Sequence, residues 1–177
     1  RTAKPDVWIS ANVNGLRSAH KHGYLQRLLD LGADYIAIQE IKFRDAARLS
    51  FLHGKRGLAD INSILAEHSH ESYYNECTAE GLGGHHGTGL INKKPVQEVR
   101  NGFDGDEFEQ EGRVQTIILE RYITLNAYVP QPGLEREHFE RRARFFRRLL
   151  EHKKKLSREF PDKPVLICGD IHGAEFE

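Results

Sequence analysis

A short apolar run, a helical stretch and a second apolar run follow one another near the start of the chain, and this order limits the possible folds most. The runs "VWISA" (7–11) and "YIAIQ" (35–39) are rich in β-forming residues. The stretch "HGYLQRLLDLGAD" (22–34) between them keeps its apolar residues at helical spacing and ends near Gly32. Strand, helix, strand is typical of α/β proteins. We therefore expect an α/β fold.

Four more β-rich runs predict further strands at 88–92, 114–120, 123–129 and 165–168. The longest helix is expected from about Glu135 to Phe160, with Pro161 and Pro164 as breakers after it. Its apolar residues fall near one helical face: Phe139, Ala143, Phe146, Leu149, Leu150 and Leu156.

The opposite face of this helix is strongly basic. Its cations are Arg141, Arg142, Arg144, Arg147, Arg148, Lys153, Lys154 and Lys155. Such a run could attract phosphate, but Glu140 and Glu151 are mixed in, which favours a solvated helix face. The acidic stretch 104–111 is likewise expected to be a loop rather than a metal site.

Composition excludes several classes of protein. The 177 residues suit one globular domain, 29% of them are charged, and no apolar run approaches a membrane span. Lys plus Arg and Asp plus Glu number 26 each, so net charge does not decide for or against nucleic acid. Cys77 and Cys168 lie far apart and give neither a disulfide framework nor a zinc signature. A reducing, cytoplasmic compartment fits best.

Polar residues follow two of the predicted strands, where α/β sheets commonly place ligand sites. Asn12, Asn14 and Arg17 come after the first run, and Glu40 directly follows the second. A carboxylate is a natural ligand for Mg²⁺. Each signal is weak alone, since Asn is an ordinary turn residue and a Glu near Lys42 is ordinary at a surface.

These pieces belong to a larger ordered set. Six segments come in the order used by one enzyme family: "NVNGLRS" (12–18), "GADYIAIQEIK" (32–42), "HGTGLINKKPV" (86–96), "EGRVQTIILE" (111–120), "ITLNAYVPQPG" (123–133) and "KPVLICGD" (163–170). From about Val7 to Asp170 the chain resembles the exonuclease III-like apurinic/apyrimidinic endonucleases of the endonuclease/exonuclease/phosphatase superfamily.

The resemblance implies a hydrolase of base excision repair that cuts double-stranded DNA at abasic sites with Mg²⁺ or Mn²⁺, often with 3′-to-5′ exonuclease or 3′-phosphatase activity. It also implies an α/β sandwich, of which we expect residues 1–177 to form an incomplete single domain with one mixed sheet and flanking helices. In the family a second half follows, so a half sandwich would expose an apolar sheet face.

Residue by residue, the resemblance implies that Glu40 holds the metal with Asn12 nearby, that Tyr128 contacts the scissile phosphate, and that Asp170 orients the attacking water. The implied DNA contacts are Asn14, Arg17, Lys42, Arg113 and Gln131. The residue types suit this chemistry, because phosphodiester hydrolysis requires charge neutralisation on the phosphate and a positioned water. A missing base offers no edge to read, so recognition depends on shape and phosphate contacts.

Four features depart from the family pattern. Ala11 replaces a Trp, Gln131 replaces an Asn, and the fifteen residues 44–58 are extra. Where the family reads Gly-Asp-x-Asn, the chain has His172 in the last position. A His can also donate to a phosphate as a catalytic group, but its ring is longer and titrates at about pH 6.5. We expect activity to be impaired or pH-sensitive.

Several alternatives remain open. "GDIHG" also resembles the first metal motif of calcineurin-like metallophosphatases, although the further ligands that those enzymes need are missing downstream. The chain is a fragment, a half that pairs with another chain, or a catalytically silent DNA-binding module. A superfamily phosphatase acting on lipid or nucleotide substrates is a further possibility. His85, His86 and the histidines at 68 and 70 are expected to be surface or structural residues.

Overall fold

Two four-stranded β-sheets pack against each other in the computed structural model of the chain. The structure describes residues 4–42, 58–82, 84–105, 107–131, 133 and 135–171. The extra segment after Lys42 falls almost entirely at 43–57, outside the described residues, and His172 also lies outside them.

The first sheet has the strand order β1-β2-β4-β3. Its strands are β1 (Trp8–Asn12), β2 (Tyr35–Gln39), β3 (Glu71–Asn75) and β4 (Thr88–Asn92). The strand β1 runs parallel to β2, and the other neighbours are antiparallel. The parallel pair is joined through two short helices, one more than the strand-helix-strand pattern predicts.

The second sheet has the order β5-β6-β7-β8. Its strands are β5 (Glu98–Asn101), β6 (Val114–Ile118), β7 (Ile123–Tyr128) and β8 (Val165–Asp170). Here β7 and β8 form the parallel pair, and the long helix connects them. Each sheet is therefore mixed and contains one parallel pair.

Four helices in the described part of the chain lie outside the sheets. They are α1 (Leu16–Lys21), α2 (Tyr24–Asp30), α3 (Leu58–Glu67) and α4 (Arg136–Glu159). A 3₁₀ turn covers Glu109–Glu111. Within the described residues, no helix is both long enough and apolar enough to cross a membrane.

The expected α/β sandwich is confirmed, but the expectation of one sheet is wrong. The second sheet forms within the same chain because the segment at 98–128 pairs with itself and α4 returns the chain to β7. The inner face of the first sheet is therefore covered. The central strands β2, β4, β6 and β7 are buried along their whole length.

Two apolar clusters lie on the outer sides of the sheets. One joins the first sheet to α1, α2 and α3 around Leu25, Ile38 and Ile61. The other joins the second sheet to α4 around Leu125 and Phe145. Complete burial of such side chains is the main stabilising term in a fold of this kind.

Polar side chains cross the space between the sheets. Asn126 on β7 donates to the carbonyl oxygens of Ile38 (3.2 Å) and Gly89 (3.0 Å), and it accepts a hydrogen bond from Gln39 at 2.8 Å. Asn75 donates to the carbonyl oxygen of Val114 at 2.8 Å. Because these groups are buried and directional, they fix how one sheet sits on the other.

The long helix begins and ends within one residue of the expected bounds, but its buried face differs from the expectation. Phe139 and Leu150 are each 52% exposed, whereas Phe145, Arg142 and His152 are buried. The apolar residues expected on one face cover a wide arc of the helix, but only a narrower stripe of α4 can face the sheet.

The acidic stretch is a loop, as expected, and it pairs with the basic helix. Glu107 accepts from Arg144 at 2.7 Å, and Asp104 and Glu111 pair with Lys155 and Arg141. The acidic stretch therefore pairs with three of the cations on α4. This arrangement agrees with a charged surface face rather than a dedicated phosphate site.

Replacing Asn126 with Leu should lower the free energy of unfolding by about 3 kcal/mol, because the Gln39 amide and two carbonyl groups lose a buried partner. Urea denaturation measures the change. The same substitution at the exposed Asn62 on α3 is the matched control and should cost about 0.5 kcal/mol or less. Equal losses at both positions would contradict the proposed role of Asn126.

Stability should also fall as the pH drops from about 7 to 5. Burial lowers the pKa of His152, whose Nε2 lies 2.8 Å from Thr116 Oγ1. In the unfolded chain a histidine takes up a proton below about pH 6.5, whereas the folded protein resists it, so acid favours unfolding. Urea titrations at several pH values should show a shallower pH dependence for His152→Gln, and an unchanged slope would refute this.

Candidate active site at the strand ends

The carboxyl ends of four strands meet at one edge of the sandwich. Asn12 ends β1, Tyr128 ends β7, Asp170 ends β8, and Glu40 directly follows β2. Because β1 and β8 contact each other across the two sheets, residues 158 positions apart become neighbours. Such an edge is the usual place for a site in an α/β protein.

Asn12 joins the two acidic residues. Its Nδ2 donates to Glu40 Oε1 and to Asp170 Oδ2, both at 2.7 Å. Its Oδ1 accepts the backbone N–H of Asn14 at 3.0 Å. The amide therefore holds two carboxylates side by side, which is the convergence that the sequence predicts. Asn12 is a bridge between the acids in this arrangement rather than a free oxygen ligand.

Glu40 is only 7% exposed and remains ionised because of its donors. Tyr128 Oη donates to its Oε1 at 2.8 Å, and Lys42 Nζ lies 2.7 Å from its Oε2. Burial alone would raise the pKa of Glu40, but the hydrogen bonds from Lys42, Asn12 and Tyr128 outweigh it and hold the pKa below the usual value.

Tyr128 is buried and presents a neutral hydroxyl to the site. Burial, followed by its hydrogen bond to Glu40, raises the pKa of this phenol above its ordinary value. The hydroxyl therefore stays protonated and can donate over the whole physiological pH range.

The backbone after β2 is held in an uncommon conformation. Glu40 and Lys42 have φ angles of 57° and 50°. Four hydrogen bonds fix this loop: Gly15 N–H to the Glu40 carbonyl (2.7 Å), Leu16 N–H to the Ile41 carbonyl (3.0 Å), Ile41 N–H to the Gly87 carbonyl (3.2 Å) and Lys42 N–H to the His86 carbonyl (3.0 Å). Left-handed non-glycine residues that cluster in this way are common at functional sites.

Gly169 positions Asp170. Its φ is 133°, and an added Cβ would overlap the carbonyl oxygen of Ala127 on the adjacent strand. The carbonyl of Asp170 accepts the N–H of Val129 at 3.0 Å, which continues the pairing with β7. Only glycine fits this approach of the two strands.

The predicted DNA contacts divide into two groups. Asn14, Arg17 and Gln131 are exposed, and Lys42 is partly exposed and donates to Asn14 Oδ1 at 2.5 Å. Lys42 and Gln131 line the same cleft as Glu40, whereas Arg17 lies on α1 beside Ser18 and Lys21.

Arg113 departs from the expected phosphate contact. It is 4% exposed, and its guanidinium donates to Glu111 (2.6 Å) and to the carbonyl of Tyr128 (3.1 Å). Its charge is already neutralised by a buried acid. Arg113 therefore supports Tyr128 from behind instead of presenting a free face to DNA.

A cleft of about 490 Å³ extends from Glu40 and Tyr128 toward the start of α4. It is lined by Glu40, Lys42, Leu82, His85, His86, Arg113, Tyr128, Pro130, Gln131, Gly133, His138 and Arg141. Sequence reasoning missed the contributions of His86, Glu111 and Arg141. Only the segment "EGR" indicated part of this group. The rest was missed because the three residues come from separate segments that meet only in the folded chain.

The family model for the endonuclease/exonuclease/phosphatase family matches residues 9–171. The chain belongs to this family. An exodeoxyribonuclease of Bacillus subtilis (strain 168) is 31% identical over 170 residues, which cover 96% of this chain and 59% of the relative. Exodeoxyribonuclease III of Haemophilus influenzae is 30% identical, with coverages of 93% and 57%. The chain thus spans less than two thirds of the length of these relatives.

Two solved structures share the fold of this chain. An AP endonuclease from Archaeoglobus fulgidus superposes with a TM-score of 0.68 at 23% identity, covering 94% of this chain and 57% of that chain. The 3′ phosphatase NExo from Neisseria, bound to a product DNA hairpin, gives a TM-score of 0.71 at 18% identity, with coverages of 98% and 60%. The family match reaches residue 171, so the calcineurin-like alternative for the chain's last motif is not supported.

Enzymes of this family generally depend on a divalent metal, and the residues present fit one. Two carboxylates on different strands are held together by one amide. Within the described part of the chain, no three His, Cys, Asp or Glu side chains come together as a closed cage. Mg²⁺ needs no such cage, since it binds through one or two carboxylates and keeps several waters.

Gly169→Ala should destabilise the protein by about 3 kcal/mol or more, because the new methyl group collides with the β7 backbone. Gly105→Ala is the matched control: its φ is 89°, but an added Cβ has no atom within 4 Å. The control should lose about 1 kcal/mol from backbone strain alone. Thermal or urea unfolding of both variants separates strain from collision, and equal losses would show that no collision occurs.

Proposed function

We propose that this chain carries the hydrolytic site of a metal-dependent DNA phosphodiesterase that cuts duplex DNA at abasic sites, with 3′-to-5′ exonuclease activity as a second reaction. The observation that carries the proposal is the Asn12 amide, which donates to Glu40 and Asp170 at once. A buried tyrosine hydroxyl bonded to the same Glu40 completes a site suited to phosphate chemistry.

The relatives support a DNA substrate. Two of them are named exodeoxyribonucleases, and a 25% identical relative from Dictyostelium discoideum is named DNA-(apurinic or apyrimidinic site) endonuclease. The AP endonuclease and the DNA-bound 3′ phosphatase among the solved structures point in the same direction. We carry these substrates to the present chain as part of the proposal.

Each residue has a defined task in this scheme. Glu40 and Asp170 would hold Mg²⁺ or Mn²⁺, which neutralises charge on the phosphate when it is bound. Asp170, half-buried at the end of β8, would also orient the attacking water. Tyr128 would donate its hydroxyl to a phosphate oxygen. Once the Glu40 carboxylate is neutralised, Lys42 would release it and donate to a phosphate oxygen instead.

The exposed polar residues near the site would hold the DNA backbone. Asn14, Arg17 and Gln131 provide amide and guanidinium donors at the surface. Contacts of this type position a duplex without reading its bases, which suits a lesion whose base is missing.

A catalytically silent DNA-binding module of the same fold is the second candidate. Two sequence features favour it: Ala11 and His172 stand where the family has Trp and Asn. In this case the surface donors would bind DNA while the carboxylate pair would not support cleavage.

Incubation of the 177-residue chain with a duplex that carries one synthetic abasic site should give a nick with Mg²⁺ and none with EDTA. Glu40→Gln should lower the cleavage rate by about 100-fold or more, since it removes a charge that the metal needs. The surface variant Glu98→Gln is the matched control. Retention of the duplex without any nick would support the silent module, and full activity of Glu40→Gln would refute the metal role.

A further inference from the structure

The back of the Tyr128 ring is held by a buried arginine. The guanidinium carbon of Arg113 lies 4.9 Å from the centre of the Tyr128 ring, and the backbones of the two residues pair through a 2.8 Å hydrogen bond. Glu111 fixes the other end of the guanidinium at 2.6 Å. The position of the ring therefore depends on the position of Arg113.

His86 is the next partner of this arginine. Its Nε2 lies 3.1 Å from Arg113 Nη2, and its ring centre lies 5.8 Å from that of Tyr128. A guanidinium can only donate hydrogen bonds, so His86 Nε2 must carry a free lone pair. The hydrogen on this imidazole is then on Nδ1.

The backbone of His86 is tied to the loop that carries Glu40. Its carbonyl accepts the N–H of Lys42 at 3.0 Å, and the carbonyl of Gly87 accepts the N–H of Ile41 at 3.2 Å. The φ of His86 is 49°, an uncommon value that these contacts maintain. One residue therefore contacts the loop of the metal-site acid and, through Arg113, the phosphate-binding tyrosine.

We infer that His86 is a positioning residue, whose neutral imidazole accepts a hydrogen bond from Arg113 and thereby sets the Tyr128 hydroxyl against Glu40. This inference rests on the proposed function, in which Tyr128 contacts the scissile phosphate. His86 itself touches neither substrate nor metal in this scheme.

The charges around His86 support a neutral ring. Burial, followed by the nearby positive charge of Arg113, lowers the pKa of His86 to about 4, against the weaker opposing effect of Glu111. His85 and Arg141 add small effects in the same direction as Arg113. At neutral pH the geometry and the surrounding charges thus both require an uncharged imidazole at His86.

The tautomer can be tested on the unsubstituted protein. In a long-range ¹H–¹⁵N spectrum of ¹⁵N-histidine protein at pH 7.5, the signal that disappears in His86→Gln should show a bare Nε2 and a protonated Nδ1. A proton on Nε2 would overturn the inference, whether or not the protein cleaves DNA.

Two substitutions at the same position test the positioning role. His86→Gln keeps an acceptor for Arg113 and should retain kcat for abasic-site cleavage within about 3-fold, whereas His86→Leu should lose about 10-fold or more. The KM for DNA should change by less than about 3-fold in both variants, because the side chain at position 86 does not contact the substrate in this scheme. Equal kcat values for the two variants would overturn the inference.

A readout without catalysis separates this inference from the proposed function. With 3-fluorotyrosine incorporated, the ¹⁹F signal assigned to Tyr128 by its loss in Tyr128→Phe should shift in His86→Leu and stay near its original position in His86→Gln. This pattern would support the positioning role even if the chain cleaves no DNA. An unchanged signal in folded His86→Leu would sink it while leaving the proposed function intact.

Discussion

The hydrogen bonds that cross between the two sheets are the interaction on which the rest of this structure depends. Asn126 reaches from β7 to the carbonyl groups of Ile38 and Gly89 and to the Gln39 side chain. Apolar packing between sheets is not directional and would tolerate sliding. Directional bonds at the middle of the sandwich instead fix the relative height of β2 and β7, and so the places where both strands end.

The candidate site follows from that alignment. Glu40 extends from β2 in the first sheet, and Tyr128 and Asp170 end strands of the second. A small slip between the sheets would separate Asn12 from Asp170 and remove the bond that joins the two acids. The site is therefore a property of the interface between the sheets. The buried hydrogen bonds that align the two sheets also set the positions of its side chains.

Two buried acids, Glu40 and Glu111, differ in the residues that surround them. Glu40 is buried and ionised because three donors face it. Glu111 is also buried and ionised, but its partners Arg113 and Arg141 neutralise it within the protein wall. Glu40 remains near the cleft surface, whereas Glu111 holds Arg113 behind Tyr128. Two similar side chains thus have different tasks because of their neighbours.

The sequence by itself determined the central strands, the long helix, the family and the four residues that converge at the candidate site, because apolar periodicity and local motifs record these directly. It did not reveal the edge strands β3 and β5, since the sequences of these two strands are polar and lack a continuous apolar pattern. Only the tertiary structure decided that a second sheet covers the first, that Arg113 is buried, and that His86 lies beside Tyr128. Those facts depend on contacts between distant segments, and the spacing of residues along one chain does not encode such contacts.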